Sequence, residues 1–174
     1  YHKEFKLLEF AANKHKQLEN KVLNNADLIL VTSPSTRAEF KKITSKPIEV
    51  ITNGFDVEKI GNQIVDKKFS LAHIGSFLSE RNPRILWESI SELIRENPLF
   101  ASHFQLKLIG AISQEVLDSI ALFQLQNYVN NLGYVSHDEA IVHQKKSQVL
   151  LLIEINSEDT KSIIPGKLFE YLVS

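Results

Sequence analysis

A lysine stands in the first turn of a predicted helix near the end of the sequence. In "SIIPGKLFEYL", residues 162–172, Pro165 and Gly166 precede Lys167. A helix N-terminus carries partial positive charge and unpaired N–H groups, so its first turn favours an anion. Gly166 would allow close backbone approach and Lys167 would add a full charge, which together suit a phosphate. The alternative interpretation is a surface pair between Lys167 and Glu170, three residues apart.

Arg81, in "GSFLSERNPR", is the second cation with a candidate role. It lies in a loop between a predicted strand that ends at Gly75 and a predicted helix that begins near Asn82. Most loop arginines are simply solvated, and that is the alternative here. If Arg81 and Lys167 face the same crevice, the two cations together favour a phosphate site.

The residues themselves exclude several better-known sites. The pattern G-x-G-x-x-G is absent, and a Walker loop fails because Leu168 stands where Ser or Thr is needed. There is no G-x-S-x-G elbow, and with no cysteine there is no thiolate ligand or nucleophile. We predict no metal site from the six histidines, and we expect His73, inside a strand, to be packed and hydrogen-bonded. Glu154, Glu158 and Asp159 could hold a divalent cation, but their irregular spacing favours a solvated loop.

Composition sets broad limits on the protein. The chain has 174 residues, 43% hydrophobic and 24% charged, which is typical of a soluble globular protein. A net charge of −1 argues against a general electrostatic attraction to nucleic acid. We expect a cytoplasmic protein, and the lysine-rich first helix leaves peripheral contact with the inner face of the membrane open. Because the sequence contains no methionine and ends inside a predicted helix, we expect a piece of a longer chain.

The elements that must position these residues alternate between strand and helix. Residues 3–24 predict an amphipathic helix, and Ser33 or Ser35 beside Pro34 predicts the cap of the next one. The predicted strands are 27–32, 48–51, 69–75, 104–110, 129–135 and 148–154, and the later predicted helices are 36–42, 82–96, 114–125, 137–146 and the final one. This order predicts an α/β fold with a Rossmann-like, doubly wound parallel sheet.

Glycines and polar residues gather at the carboxyl ends of the predicted strands. Gly75 and Ser76 end one strand, Gly110 ends another, and Gly133 and Tyr134 end a third. Ligands of open α/β sheets bind in the crevice beyond these ends. We therefore expect the binding site at this edge.

Five segments occur in an order and spacing that resemble a known family. They are "ADLILVTSPSTRAEFKK", "IEVITNGFD", "AHIGSFLSERNP", "LGYVSHDEA" and "IIPGKLFEYL". Together they resemble the group 1 (family four) glycosyltransferases of the GT-B fold over residues 22–174. The resemblance implies that residues 1–53 are the tail of an N-terminal acceptor domain. Residues 54–174 would then be most of the C-terminal, nucleotide-sugar donor-binding domain.

The resemblance also implies a ligand and its contacts. The donor substrate would be a nucleotide-diphosphate sugar, UDP- or GDP-linked, with no other cofactor and no metal. Gly75 and Ser76 would lie near the diphosphate, and Gly110 and Tyr134 would flank the base. Glu170 would accept hydrogen bonds from the ribose.

By the same resemblance, Arg81 and Lys167 are the catalytic pair. Both would stabilise the charge that develops on the diphosphate as it leaves, and the helix start at Pro165 and Gly166 would face the same phosphates. The sugar would be transferred with retention of anomeric configuration. The acceptor implied is a glycan or glycolipid, as in polysaccharide biosynthesis.

Two positions depart from the family pattern and leave alternatives open. Ser76 stands where many members have arginine, and Ser162 where many have glutamate. A non-catalytic module that binds a nucleotide or a glycan phosphate therefore remains an alternative, as does a nucleotide-sugar epimerase of the same fold. We expect the fragment itself to be inactive, because it lacks most of the acceptor domain.

Overall fold

The computed structural model describes residues 7–55, 60, 61, 63–155 and 164–174. The chain divides into two compact units, one formed by Tyr1–Phe55 with Asn156–Phe169 and the other by Asp56–Ile155 with Glu170–Ser174. The last helix, Gly166–Val173, contributes residues to both units. The predicted division into an acceptor and a donor domain stays a prediction.

The described part of the first unit is a small βαβ arrangement behind a long helix. Its elements are α1 (Glu9–Asn25), β1 (Ile29–Val31), α2 (Pro34–Phe40) and β2 (Ile48–Val50). The strands β1 and β2 are parallel, and Leu23, Ile29, Val31 and Ile48 form the buried core between helix and sheet. Ser33 caps α2, since its hydroxyl accepts a 3.1 Å hydrogen bond from the Thr36 N–H, so the predicted cap is confirmed at Ser33.

The second unit contains a four-stranded sheet in which every pairing is parallel. Its elements are β3 (Phe69–Ile74), a 3₁₀ turn (Ser79–Arg81), α3 (Arg84–Glu96), α4 (Pro98–His103), β4 (Phe104–Ile109), α5 (Gln114–Leu122), a 3₁₀ turn (Gln126–Tyr128), β5 (Val129–Gly133), α6 (His137–Lys146) and β6 (Val149–Leu150). The residues of α7 (Gly166–Val173) from Glu170 onward also belong to this unit. The strand order is β5-β4-β3-β6. The α/β class with a Rossmann-like parallel sheet is therefore confirmed.

The core of this unit lies where α3 and α5 cover β4. Trp87 from α3, Val116 from α5 and Leu106 and Leu108 from β4 are all 0% exposed. Burying a large apolar side chain contributes about 1.5–3 kcal/mol, so these contacts fix the sheet and its two helices as one body. Phe77, just beyond β3, belongs to the same cluster, which ties the loop after β3 to the core.

A buried ion pair accompanies this core. Lys107, in the middle of β4, contacts Asp66 through a short hydrogen bond, and its side chain is only 7% exposed. Burial by itself would raise the pKa of Asp66, but hydrogen bonds from Lys107 and Ser70 and the nearby positive charges outweigh it and lower the pKa. A buried lysine needs such a partner, since an unpaired charge there is strongly destabilising.

The structure corrects several of the predicted elements. The helix predicted from Asn82 begins at Arg84, because Asn82 is extended, Pro83 has a non-helical ψ of 71°, and the residues before them form the 3₁₀ turn. The helix α4 was not predicted, although the Asn97 side chain caps it by accepting a 3.0 Å hydrogen bond from the Phe100 N–H. The strand predicted over 148–154 is reduced to the two residues of β6, although the Leu151 N–H still donates to the Ala72 carbonyl at 2.8 Å.

Candidate functional site

The strand order places a topological switch point beside β3. From β3 the chain moves outward through β4 to β5, and it then returns to the other side of β3 as β6. Connections therefore diverge between β3 and β6, which is where open α/β sheets bind their ligands. The candidate site lies beyond the carboxyl ends of these two strands.

Three glycines form the edge of the sheet next to this point. Gly75, Gly110 and Gly133 have φ angles of 115°, 119° and 67°, values that side-chain-bearing residues rarely adopt. The Gly75 N–H donates to the Ile109 carbonyl and the Gly110 N–H to the Gly133 carbonyl, both at 2.7 Å. These residues lie at the strand ends that the sequence indicated, and they form a row bare of side chains.

Close backbone contact explains why Gly110 must be glycine. A Cβ added at Gly110 would lie 2.5 Å from the Gly75 carbonyl oxygen and 2.8 Å from the Gly75 carbonyl carbon. No real Cβ tolerates such distances to backbone atoms. At Gly133, by contrast, an added Cβ would meet no heavy atom within 4 Å. The tight approach is therefore specific to the ends of β3 and β4.

Ser76 stands in a rigid backbone segment directly after Gly75. The next residue, Phe77, is 0% exposed, its N–H donates to the Ala111 carbonyl at 2.8 Å, and its own carbonyl accepts from the Ser113 N–H at 3.0 Å. Ser76 itself is exposed. Its hydroxyl, which can donate and accept, is thus presented from a fixed position.

His73 ties the two strands of the switch point together. Its ring is 1% exposed, with Nδ1 3.1 Å from the Leu151 carbonyl oxygen beyond β6 and Nε2 3.5 Å from the Ser76 carbonyl oxygen. The prediction of a packed, hydrogen-bonded histidine is confirmed. The ring links the backbone after β3 to the backbone after β6.

Arg81 lies in the 3₁₀ turn that follows this segment and forms an ion pair across the switch point. Its Nη2 atom is 3.6 Å from Oε2 of Glu154, which follows β6, and the two side chains are 28% and 32% exposed. Arg81 Nε is buried and has no hydrogen-bond partner among the described residues. The side chain is therefore largely covered rather than solvated, and Glu154 of the acidic loop is paired rather than simply exposed to solvent. Glu158 and Asp159 lie outside the described residues.

The turn that carries Arg81 is anchored by a residue that sequence reasoning did not single out. Asn82 accepts a 2.8 Å hydrogen bond from Nε1 of Trp87, whose side chain is fully buried, and donates at 3.4 Å to the Glu115 carbonyl. The signal available in the sequence was Asn-Pro ahead of a helix, a common start of a turn.

Glu170 is placed at the same strand end through its neighbour on α7. The Tyr171 hydroxyl accepts a 3.2 Å hydrogen bond from the Ile74 N–H and donates at 3.4 Å to the Ile74 carbonyl, and burial raises its pKa. The Glu170 carboxylate accepts a hydrogen bond from the buried Gln144 at 3.2 Å. Tyr171 was not predicted as a positioning residue, since a tyrosine beside apolar residues gave no sign of its partner.

The first residues of α7 belong to the first unit. The Leu168 N–H donates to the Pro165 carbonyl at 3.0 Å, and a Cβ added at Gly166 would meet no heavy atom within 4 Å. Lys167 lies in the first turn, as predicted. The roles of Pro165, Gly166 and Lys167 remain predictions, and Ser162 lies outside the described residues.

Tyr134 projects from a short, well-fixed loop at the other side of the sheet. It follows Gly133 and is 93% exposed. The loop then enters α6 through a capping box, in which Ser136 and Glu139 bond each other's backbone N–H groups. Tyr134 therefore offers an open aromatic face next to the end of β5.

Neither a metal cluster nor a spanning helix is found in the part of the chain that the structure describes. Within residues 7–55, 60, 61, 63–155 and 164–174, no three His, Cys, Asp or Glu side chains gather as metal ligands do. The helices of the same residues are too short or too polar to cross a bilayer.

Comparison with known proteins places the fold. No family model and no curated protein matches this sequence. Among solved structures, sucrose-phosphate synthase from Thermosynechococcus elongatus matches with a TM-score of 0.61 and 16% identity, over 79% of this chain and 37% of that one. The pneumococcal O-GlcNAc transferase GtfA, in complex with UDP and GlcNAc, matches with a TM-score of 0.60 and 18% identity, over 92% and 31%.

A third structure agrees with these two. WaaG, a glycosyltransferase involved in lipopolysaccharide biosynthesis, matches with a TM-score of 0.59 and 15% identity, over 83% of this chain and 41% of that one. This chain thus spans less than half the length of each of the three. The likenesses establish the fold: it is the Rossmann-like α/β fold of GT-B glycosyltransferase domains.

Proposed function

We propose that this chain supplies the donor-nucleotide site of a glycosyltransferase, which transfers a sugar from a nucleotide-diphosphate sugar. The observation that carries the proposal is the bare glycine edge at Gly75 and Gly110, next to a largely covered arginine at the switch point. The matched structures support it, since one is of an O-GlcNAc transferase in complex with UDP and GlcNAc. The proposal goes beyond the fold, because one fold hosts many functions.

The diphosphate fits the glycine edge for steric and electrostatic reasons. Because Gly75 has no side chain, phosphate oxygens can come within contact of its backbone. The exposed Ser76 hydroxyl can donate to one oxygen. The Arg81 guanidinium offers a planar fork of donors that matches two phosphate oxygens.

The other proposed contacts follow from where each side chain is held. Glu170, beside the anchored Tyr171, would accept hydrogen bonds from the ribose hydroxyls. Tyr134 would stack on the base with its open ring, an arrangement in which aromatic side chains gain favourable contact. The backbone of Gly110 would flank the base on its other side.

The chemistry proposed is the departure of the nucleoside diphosphate from the sugar, with retention of configuration and without a metal. Negative charge develops on the leaving diphosphate, and Arg81 would stabilise it. Lys167 and the helix start at Pro165-Gly166, where Gly166 supplies the first backbone N–H, would act on the same phosphates. Removing one such preorganised donor typically lowers the rate about 10²–10³-fold.

The acceptor and the setting are proposed at a coarser level. WaaG takes part in lipopolysaccharide biosynthesis, so a glycan or glycolipid acceptor is a reasonable class for this protein too. Such an acceptor would bring the protein to the cytoplasmic face of a membrane. The groups that bind it would belong to an acceptor domain, of which residues 1–53 would be the tail.

A ligand titration of the 174-residue chain tests the proposal. UDP and GDP are added separately while the unfolding temperature is followed, because a ligand at a hundredfold excess over its Kd stabilises the fold by about 2.7 kcal/mol. We expect one of the two to stabilise the chain and Arg81→Ala to lose most of this effect. Arg95→Ala is the matched control, since Arg95 is 72% exposed at the far end of α3. If neither nucleotide shifts the transition, or if Arg81→Ala behaves like the control, the proposal is wrong.

A further inference from the structure

Glu154 forms an ion pair with Arg81, whose guanidinium would contact the proposed diphosphate. Glu154 follows β6 and Arg81 follows β3, so the ion pair between them bridges the two strands at which the connections diverge. A ligand in this crevice must therefore meet the carboxylate as well as the arginine. The pairing could not be read from the sequence, where the two residues lie far apart.

The geometry shows that this ion pair is a loose one. The Nη2–Oε2 distance of 3.6 Å exceeds the 2.7–3.2 Å range of an N–H···O hydrogen bond. Arg81 Nε is buried without a hydrogen-bond partner among the described residues. A bidentate arginine–carboxylate pair would use two N–H donors at short range. Glu154 therefore neutralises the charge of Arg81 but leaves its hydrogen-bond donors without a close acceptor.

A phosphate group can form the short hydrogen bonds with Arg81 that Glu154 does not form. Its oxygens can take two parallel hydrogen bonds from one guanidinium. Once a diphosphate is bound, the Glu154 carboxylate lies close to a second anion of the same sign. The site then gains the arginine–phosphate contact but carries a repulsion that the unbound site does not have.

We propose that Glu154 is an affinity-limiting residue, a carboxylate that holds Arg81 in place in the unbound chain and opposes the diphosphate that displaces it. This inference rests on the proposed function, because it assumes that the diphosphate binds at Arg81. It assigns Glu154 to control of ligand release. In an enzyme whose product is a nucleoside diphosphate, such a residue speeds product departure at the expense of affinity.

The expected effect is measurable. Two charges about 4 Å apart in water-like surroundings interact enough to change an equilibrium constant about fivefold, and more where the surroundings are partly buried. Glu154→Gln removes the charge and keeps the shape, so we expect it to tighten the Kd for the preferred nucleoside diphosphate about five- to tenfold. The affinity for inorganic pyrophosphate should rise by a similar factor, since the repulsion from Glu154 acts on the phosphates and not on the base.

Isothermal titration of the 174-residue chain with UDP, GDP and pyrophosphate makes the test. The control variant is Glu96→Gln, which removes the same charge from another arginine pair, Arg95–Glu96, whose side chains are 72% and 71% exposed. Unliganded unfolding temperatures show that the variants are folded. Tightening in Glu154→Gln alone, reduced at high salt, supports the inference.

The outcomes separate this inference from the proposed function. If the unsubstituted chain binds a nucleoside diphosphate and Glu154→Gln binds it equally or more weakly, the inference alone is overturned, and Glu154 serves to position Arg81. If neither the unsubstituted chain nor Glu154→Gln binds any of the three probes, the proposed function falls and the inference falls with it. A gain seen equally in Glu96→Gln also overturns it, because the effect would then be one of net charge.

Discussion

The contact between Gly110 and Gly75 gives a sharp prediction for the substitution Gly110→Ala. At φ +119° a non-glycine residue is strained, which costs about 1–3 kcal/mol. The new Cβ would also lie 2.5 Å from the Gly75 carbonyl oxygen, and overpacking of this kind adds about 1–3 kcal/mol. We therefore expect Gly110→Ala to lower the free energy of unfolding by about 2–6 kcal/mol.

Gly133→Ala is the matched control, because the same methyl is added at the end of the neighbouring strand. Gly133 has φ +67°, near the left-handed helical region, and its added Cβ meets nothing within 4 Å. Only the conformational cost of about 1–2 kcal/mol remains there. The difference between the two variants thus reports mainly the steric contact between the strand ends.

Urea unfolding followed by tryptophan fluorescence measures both variants. The chain has a single tryptophan, and Trp87 is fully buried in the core beside Phe77, so its emission reports loss of this core. The reasoning is refuted if Gly110→Ala and Gly133→Ala lower the unfolding free energy equally. Equal losses of stability would mean that the Gly75 carbonyl moves away freely. The glycine edge would then not hold the diphosphate in a fixed position.

Two further predictions concern groups that support the site. Asn82→Ala should lower the free energy of unfolding by about 1–3 kcal/mol, because it leaves Nε1 of the buried Trp87 without its acceptor. Asn82→Asp keeps an acceptor oxygen and should recover most of this loss in the same urea assay. If Asn82→Asp recovers none of the stability, the assigned hydrogen bond is contradicted. Asp66 has its folded-state pKa lowered below 3.8, so its ion pair with Lys107 stabilises the fold above that pH and loses this contribution as pH falls through the folded-state pKa. Asp66→Asn should therefore be less stable than the unsubstituted chain at pH 7, and this difference in stability should narrow as the pH falls below 3.8. A difference that is constant with pH would show that the charge of Asp66 is not involved.

Much of the fold could be predicted because its signals are local. Short apolar runs identified the strands, and glycines marked the ends of β3, β4 and β5, since each strand end needs a positive φ there. The helix α6 was predicted over its full observed length, His137–Lys146. The six-residue helix α4 was missed because it is too short to show helical periodicity, although Asn97-Pro98 announced its start.

The site was harder to predict because its contacts depend on strand order. The sequence shows that Arg81 and Glu154 each follow a strand, but only the placement of β6 beside β3 brings them together. The same holds for Tyr171, whose hydroxyl bonds the backbone of Ile74 at a separation of 97 residues. Glycine positions are dictated by local geometry, whereas these side-chain pairs are dictated by topology.

The central claim is that a nucleoside diphosphate binds at the carboxyl edge of β3 and β4 and engages Arg81. The most direct test is an NMR titration of the ¹⁵N-labelled chain with UDP and GDP, following backbone amides and the Arg81 Nε–H signal. We expect one nucleotide to shift Gly75, Ser76 and Gly110 most strongly and to move the Arg81 Nε–H resonance as it gains a phosphate acceptor. Shifts confined to residues away from this edge, with the Arg81 signal unchanged at saturation, would contradict the claim.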